Sequence, residues 1–358
     1  MPLSLRFSKS DWQRIACDWN AWWAGELERP LIVLECLEIL DRYDPHYAST
    51  FLSNYSLDLP VGNILDEFVT HIENTHYLGD SFPRYWPNFG PGIVAAFAGA
   101  QVHPAWDTTW FSPAWNCPLA DLRVAIDEHN PWLLRVEEFT RTATVQWGDE
   151  LAVGFTDLGG NLDILASLRG SQQLLLDLVD APDEVDRLIA ETTRVWLDCY
   201  HRLLPIISSN RRGVTCWGPL WSPGGGYMLQ SDFSYMISPA MFGRFVLPDL
   251  ERCCEQMDYA FYHLDGRGQI RHLEMLLSLQ RLRGIQWVPG EGNPPPQEWL
   301  PLLKRIRDAG KLCQVTITPQ GALTIIRELG GTGFCFNINE PQLTPVEGRD
   351  FLEAVTKA

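Results

Sequence analysis

Short, continuously apolar runs separated by amphipathic stretches set the rhythm of this chain. Runs at 31–36 (LIVLEC), 152–158 (AVGFTDL), 213–217 (GVTCW), 260–265 (AFYHLD), 284–288, 312–317 and 333–338 read as buried strands. Between them, helical spacing predicts helices at 164–168, 172–179, 182–207, 238–257, 270–279, 296–309 and 321–329. Strand–helix alternation with unbroken apolar strands predicts a parallel sheet covered by helices. Adding one strand before residue 100 brings the count to eight, so the expected fold is α/β, a (βα)8 TIM barrel.

Two regions lie outside this rhythm. Trp12, Ile15, Ala16, Trp19 and Trp22 recur at helical spacing behind Ser10, which predicts a capped helical leader over residues 1–29, ended by Arg29-Pro30. Residues 37–149 are irregular and aromatic, with helices expected at 63–76 and from Asn130-Pro131 to Gly148. Insertions of that length are usually functional, and this one reads as an elaboration over the barrel's mouth. The leader and this block offer either a lid or a homodimer surface. Residues 30–358 then form one barrel domain.

Composition narrows the function. The 358 residues carry a net charge of -17, which excludes nucleic acid as a natural partner. No apolar run approaches a membrane span, and there is no basic-then-apolar leader, so a cytoplasmic location without membrane attachment is expected. Nine irregularly spaced cysteines do not form a disulfide framework.

The chemistry concentrates where strands meet their following loops. In 260–268 (AFYHLDGRG), alternation puts Phe261, His263 and Asp265 on one face, and Gly266 and Gly268 then turn the chain away. Other strand ends add Glu35, Asp157, Trp217, Glu291, Thr316, Thr318, Cys335, Asn337 and Asn339. Buried charges in such number must pair with each other, a metal or a ligand. His263 and Asp265 can supply two ligands to zinc, with Glu291 or Cys335 a third; the alternative is a hydrogen-bonded carboxylate–histidine cluster. Asp157 ends its strand beside Gly159-Gly160, whereas Asp163 reads as a helix cap. Gly224-Gly225-Gly226 lacks the lysine of a phosphate loop and reads as a hinge, with Tyr227 and Asp232 beyond it as a lid over the mouth.

Four segments carry a family resemblance: TDLGGNLDILASLRG (156–170), SDFSYMISPAMFGRFVLPDL (231–250), YHLDGRGQIRHLEMLL (262–277) and IQWVPGEG (285–292). With them the chain resembles the uroporphyrinogen decarboxylase superfamily, which includes the cobalamin-dependent methyltransferases, from about Arg29 to Asn339. The resemblance implies a (βα)8 barrel. Decarboxylases of the superfamily carry an arginine-rich segment after the first strand, where this chain reads LIVLECLEILDRYD. The methyltransferase branch carries a His-x-Cys-Gly zinc motif and a late cysteine. Here the motif is His263-Leu264-Asp265-Gly266, with Cys335 near the late position. The implied activity is methyl transfer between a small substrate and a corrinoid on a separate protein. Zinc on His263 and Asp265, with Glu291 or Cys335, would activate an alcohol, ether or carboxylate rather than a thiol. Asp157, Glu35 and Asp232 are the candidate acid–base groups; Trp217, Tyr227, Asn337 and Thr316 are the candidate substrate contacts. A lyase acting on another carboxylated substrate, or a tetrapyrrole- or small-ligand-binding barrel, are the alternatives.

Overall fold

The computed structural model describes residues 3–37, 51–114 and 116–358. The acidic stretch after the first strand therefore lies outside the described residues. In chain order the elements are α1 (Lys9–Ala24), β1 (Leu31–Leu37), α2 (Val61–Asn74), β2 (Thr75–Gly79), β3 (Arg84–Tyr85), α3 (Val94–Phe97), β4 (Gln101–Pro104) and β5 (Thr109–Ser112). Next come α4 (Pro131–Trp147), β6 (Ala152–Val153), α5 (Asn161–Arg169), α6 (Ser171–Asp180), α7 (Pro182–Ile207), β7 (Gly226–Leu229), α8 (Pro239–Phe245) and α9 (Leu247–Glu255). The chain then alternates regularly through β8 (Tyr259–Asp265), α10 (Leu273–Ser278), β9 (Leu282–Val288), α11 (Leu300–Asp308), β10 (Leu312–Ile317), α12 (Pro319–Leu329), β11 (Phe334–Ile338) and α13 (Pro345–Lys357).

The central sheet runs β2-β1-β11-β10-β9-β8-β7, parallel throughout except that β2 turns back antiparallel on β1. A further parallel arm is built from much shorter contacts: β3 pairs with β6, and Gly154 bridges to Thr215. Among the described residues the ladder does not close on itself. Pro83 and Pro87 flank β3, and prolines withhold the donors that a longer ladder would need. The architecture is thus mixed α/β around a mainly parallel sheet.

Several expected elements differ in detail. Residues 152–158 form regular strand only to Val153, and 213–217 contribute isolated bridges. The anticipated 238–257 helix breaks at Val246, where Pro248 at the start of α9 cannot continue the ladder of α8. Ser8, not Ser10, caps α1, through a reciprocal box with Asp11. The triple glycine is no hinge: Gly226 opens β7, and a Cβ on Gly225 or Gly226 would strike Tyr200 or Ser222. Tyr227 follows inside the strand, fully buried, so it is not part of a lid.

The leader is docked. Trp19, Trp22 and Trp23 are buried, and Trp22 lies against Phe261 of β8 with ring centroids 6.0 Å apart. On the outward side of the sheet, Tyr262, Leu264, Ile285 and Trp287 are fully buried under the helices. The opposite side carries polar groups in register. His263 pairs with Gln286, Gln286 with Gln314, and Gln314 with Cys335, a row across four strands. No helix among the described residues is long and apolar enough to cross a membrane.

Candidate metal centre at the carboxyl ends of the strands

At the carboxyl end of β8, His263 and Asp265 project from the same face because they are two residues apart on a strand. Asp232 reaches them from the short 3-10 turn Asp232–Met236 that follows β7. One ligand atom from each of the three lies within 4.8 Å of the others. Two carboxylates and an imidazole this close form a donor set of nitrogen and hard oxygen, which suits zinc or a similar divalent ion.

His263 and the turn that carries Asp232 are held from behind. His263 Nδ1 is bonded to the side-chain oxygen of Gln286, and Trp217 sets its ring edge-on at 5.1 Å while its own indole donates to the Met228 carbonyl at 3.2 Å. Burial lowers the His263 pKa, with Gln286 and Asp265 opposing, so the ring is neutral and able to ligate near neutral pH. Asp163, on the first turn of α5, accepts the backbone N–H groups of Asp232 (3.0 Å) and Phe233 (2.7 Å). It therefore clamps the turn that delivers Asp232, a role different from the plain helix cap expected. Its carboxyl is pushed up to about 7 by burial and by the Asp232 charge. Asp232 meets solvent but is walled on most sides. That enclosure, then the charges of Asp265 and Asp157, push it up to about 7 as well.

Asp157 stands outside the three-residue cluster. It is buried, accepting the Gly159 N–H at 2.8 Å and the Gln230 amide at 3.2 Å, and burial raises its carboxyl to about 7. Gly159 and Gly160 let the chain pass against Gly92 and Gln230 where a side chain would not fit. The neighbouring cavity, about 360 Å³, is lined by Gly92, Asp163, Gln230, Asp232, Trp110 and Met236 among others. It adjoins the candidate centre through Asp232.

The remaining sequence-predicted residues fall elsewhere. Glu35 pairs with Arg84 at 3.1 Å and lines a second cavity of about 460 Å³ with His71, Tyr77 and Tyr85. Arg84 is the partner that sequence reasoning did not anticipate. Tyr227 accepts the Leu158 N–H at 2.7 Å. Asn337 donates to Thr316 at 3.2 Å, and both are half-buried. Glu291 sits exposed in the turn beyond β9 and does not join the cluster. Cys335 is fully buried, its thiol pushed up by burial. In the register it is three strands from His263, about 14 Å at one strand spacing each. The third residue of the cluster is thus Asp232, expected from the sequence in a lid and as an acid–base group, and neither Glu291 nor Cys335. Gln286 and Gln314 were passed over, although a polar residue inside an apolar buried strand, as in LCQVTI, is the available signal.

No protein-family model matches the chain, and no curated protein matches it by sequence. Among solved structures, a methyltransferase from Methanosarcina mazei is similar over 96% of this chain and 98% of its own, with a TM-score of 0.61 and 11% identity. At that identity the likeness establishes a shared fold.

Proposed function

We propose that this chain is a metal-assisted methyltransferase, passing a methyl group between a small oxygen-bearing substrate and a corrinoid held on a separate protein. On this reading the sheet and the short β3–β6 arm are walls of a distorted (βα)8 barrel. The observation that carries the reading is the convergence of Asp232, His263 and Asp265, with the imidazole oriented by Gln286 and the turn of Asp232 held by Asp163.

His263 Nε2 and one carboxylate oxygen each of Asp232 and Asp265 would hold zinc, leaving a position for substrate. Bound zinc supplies Lewis acidity, which polarises the methyl-bearing oxygen or lowers the pKa of an accepting one. The chain's own residues do the rest. Trp217 fixes the plane of the imidazole, and Asp163 holds the turn that carries Asp232. The adjoining cavity admits a small molecule. Its wall includes Trp110 and Met236, which with Trp106 and Tyr235 leave large apolar surface exposed. Apolar surface of this kind around a site suits a docking partner, here the corrinoid carrier.

The test is the metal content of protein purified without chelator. About one zinc or related divalent ion per chain is expected, lost in His263→Ala, together with methyl transfer to or from a corrinoid. Retention of the full complement by His263→Ala would remove the centre from this position. A metal-free lyase has one observation in its favour, the buried Asp157 carboxyl raised to about 7, which makes it a proton donor at neutral pH. Catalysis of carboxylate loss that survives complete metal removal would select that reading.

A further inference from the structure

Behind His263 lies a line of side chains whose polarity is fixed from its far end. The Pro219 carbonyl can only accept, so the Gln314 amide must turn its nitrogen toward it, at 3.4 Å. The Gln314 oxygen therefore faces Gln286, which donates its own nitrogen at 2.8 Å. That leaves the Gln286 oxygen facing His263 Nδ1. An oxygen accepts, so Nδ1 must carry the hydrogen, and in a neutral ring Nε2 keeps its lone pair. Gln286 and Gln314 are 4% and 0% exposed, so bulk water does not compete for either amide. The register His263–Gln286–Gln314 across adjacent strands gives the line its geometry.

We propose that Gln286 and Gln314 are positioning residues: a one-way amide relay, anchored on the Pro219 carbonyl, that sets the His263 tautomer and so presents Nε2 as a ligand. This rests on the metal-centre reading above, but it makes a claim that can be examined in metal-free protein. An amide facing an imidazole can present either end. Without Gln314, Gln286 is free to flip and offer its nitrogen, which would select the opposite tautomer and put hydrogen on Nε2. The control thus sits two residues away from the ligand, where a contact argument would assign nothing but packing. Partners of this kind to metal-bound histidine are worth about 10- to 100-fold in metal affinity.

The experiment uses the full chain labelled with 15N at histidine, with His263→Gln identifying the His263 signals. Long-range proton–nitrogen correlations on metal-free protein at pH 8 report which ring nitrogen bears hydrogen. Zinc affinity is measured by competition with a chromophoric chelator on the same samples. The wild-type protein is expected to show hydrogen on Nδ1. Gln286→Leu and Gln314→Leu are expected to lose that preference and to bind zinc at least 10-fold more weakly. Gln286→Glu keeps an acceptor before Nδ1 and is expected to retain the tautomer and to bind within about threefold of wild type. Near-ultraviolet circular dichroism on every variant identifies one that has lost its tertiary packing, and the Gln286→Glu comparison does not depend on the leucine variants. Hydrogen on Nε2 in the wild type, or an unchanged tautomer and affinity in folded Gln314→Leu, would overturn the relay. A wild-type Nδ1–H signal with no zinc binding would support the relay and defeat the metal reading instead.

Discussion

Replacing Asp249 by asparagine should make the protein more stable, and increasingly so as the pH rises. Asp249 on α9 is 5% exposed and accepts hydrogen bonds from Asn161 of α5 and Thr193 of α7, so it pins together three helices, one of which carries Asp163. Burial outweighs those hydrogen bonds and the Arg252 charge, and raises its carboxyl to about 7. Against an unfolded value of about 3.9, the folded state binds the proton more tightly. Stability attributable to that proton is therefore complete below about pH 4 and is lost as the pH rises through 7. Three pH units at about 1.4 kcal/mol each set an upper bound of about 4 kcal/mol, and relaxation around the charge will reduce it to roughly 2–4 kcal/mol. Asparagine keeps the accepting oxygen and never ionises. Urea unfolding of the two proteins at pH 5, 6, 7 and 8 would measure the effect, and Asp157, Asp163 and Asp232 cancel in the difference between them. Between pH 5 and 8 the unfolded carboxyl is already ionised, so the stability gap between variant and wild type should widen by roughly 1.5–2.5 kcal/mol across that range, with unchanged m-values. A gap that stays constant with pH would mean that Asp249 titrates as an ordinary carboxylate, and the reasoning would fail.

Trp22→Ala should cost about 3–5 kcal/mol in urea unfolding, because the ring is fully buried between Trp19, Trp23 and Phe261; a loss under 1 kcal/mol would mean the leader is not part of the folded core. Gly159→Ala should cost at least about 2 kcal/mol, since a positive φ of 85° is combined with a Cβ placed 2.6 Å from the Gly92 backbone. Gly292→Ala, at φ 74° but with open space around it, should cost only about 1 kcal/mol. Equal melting shifts for the two variants would show that the approach of Gly92 to Gly159 is not tight.

What could be read from the sequence was whatever depends on local pattern. Helix starts marked by a capping residue before proline, Asn130-Pro131 and Ser238-Pro239, lie where expected, and so do the apolar strands from β8 to β11. The antiparallel β2 was missed because the amphipathic spacing of α2 runs into THYLG without a glycine or proline to stop it. Residues 213–217 have strand composition, yet Gly213 opens them, Gly218 follows them, and their ladder reduces to single bridges. The same division holds at the site. Strand alternation puts His263 and Asp265 on one face, a local inference. Which strand stands beside which is a tertiary fact, so Cys335 shared the right parity while lying three strands away. Asp232 joins the cluster only because Asp163, 69 positions earlier, holds its turn in place.

The choice of donors carries its own argument about what the centre is for. Two carboxylates with ligand atoms within 4.8 Å repel by roughly 3 kcal/mol at the effective dielectric of a partly wetted site. Nothing in the fold requires that cost, because His263 already satisfies Nδ1 through Gln286 and Asp163 already has the backbone of residues 232 and 233. A proton relieves the repulsion below about pH 7, the value to which Asp232 is raised. Above it, only a cation does so, and a divalent ion balances the two carboxylates in full. In the resemblance drawn from the sequence, a thiolate stands where Asp265 stands here, with the same charge but a softer atom. The substitution leaves the electrostatics of holding a divalent ion intact and shifts its preference toward oxygen ligands. On the proposed reading, a divalent centre on these residues would be matched to substrates whose methyl group sits on, or arrives at, oxygen, and the proposed relay behind His263 would preserve its one nitrogen donor.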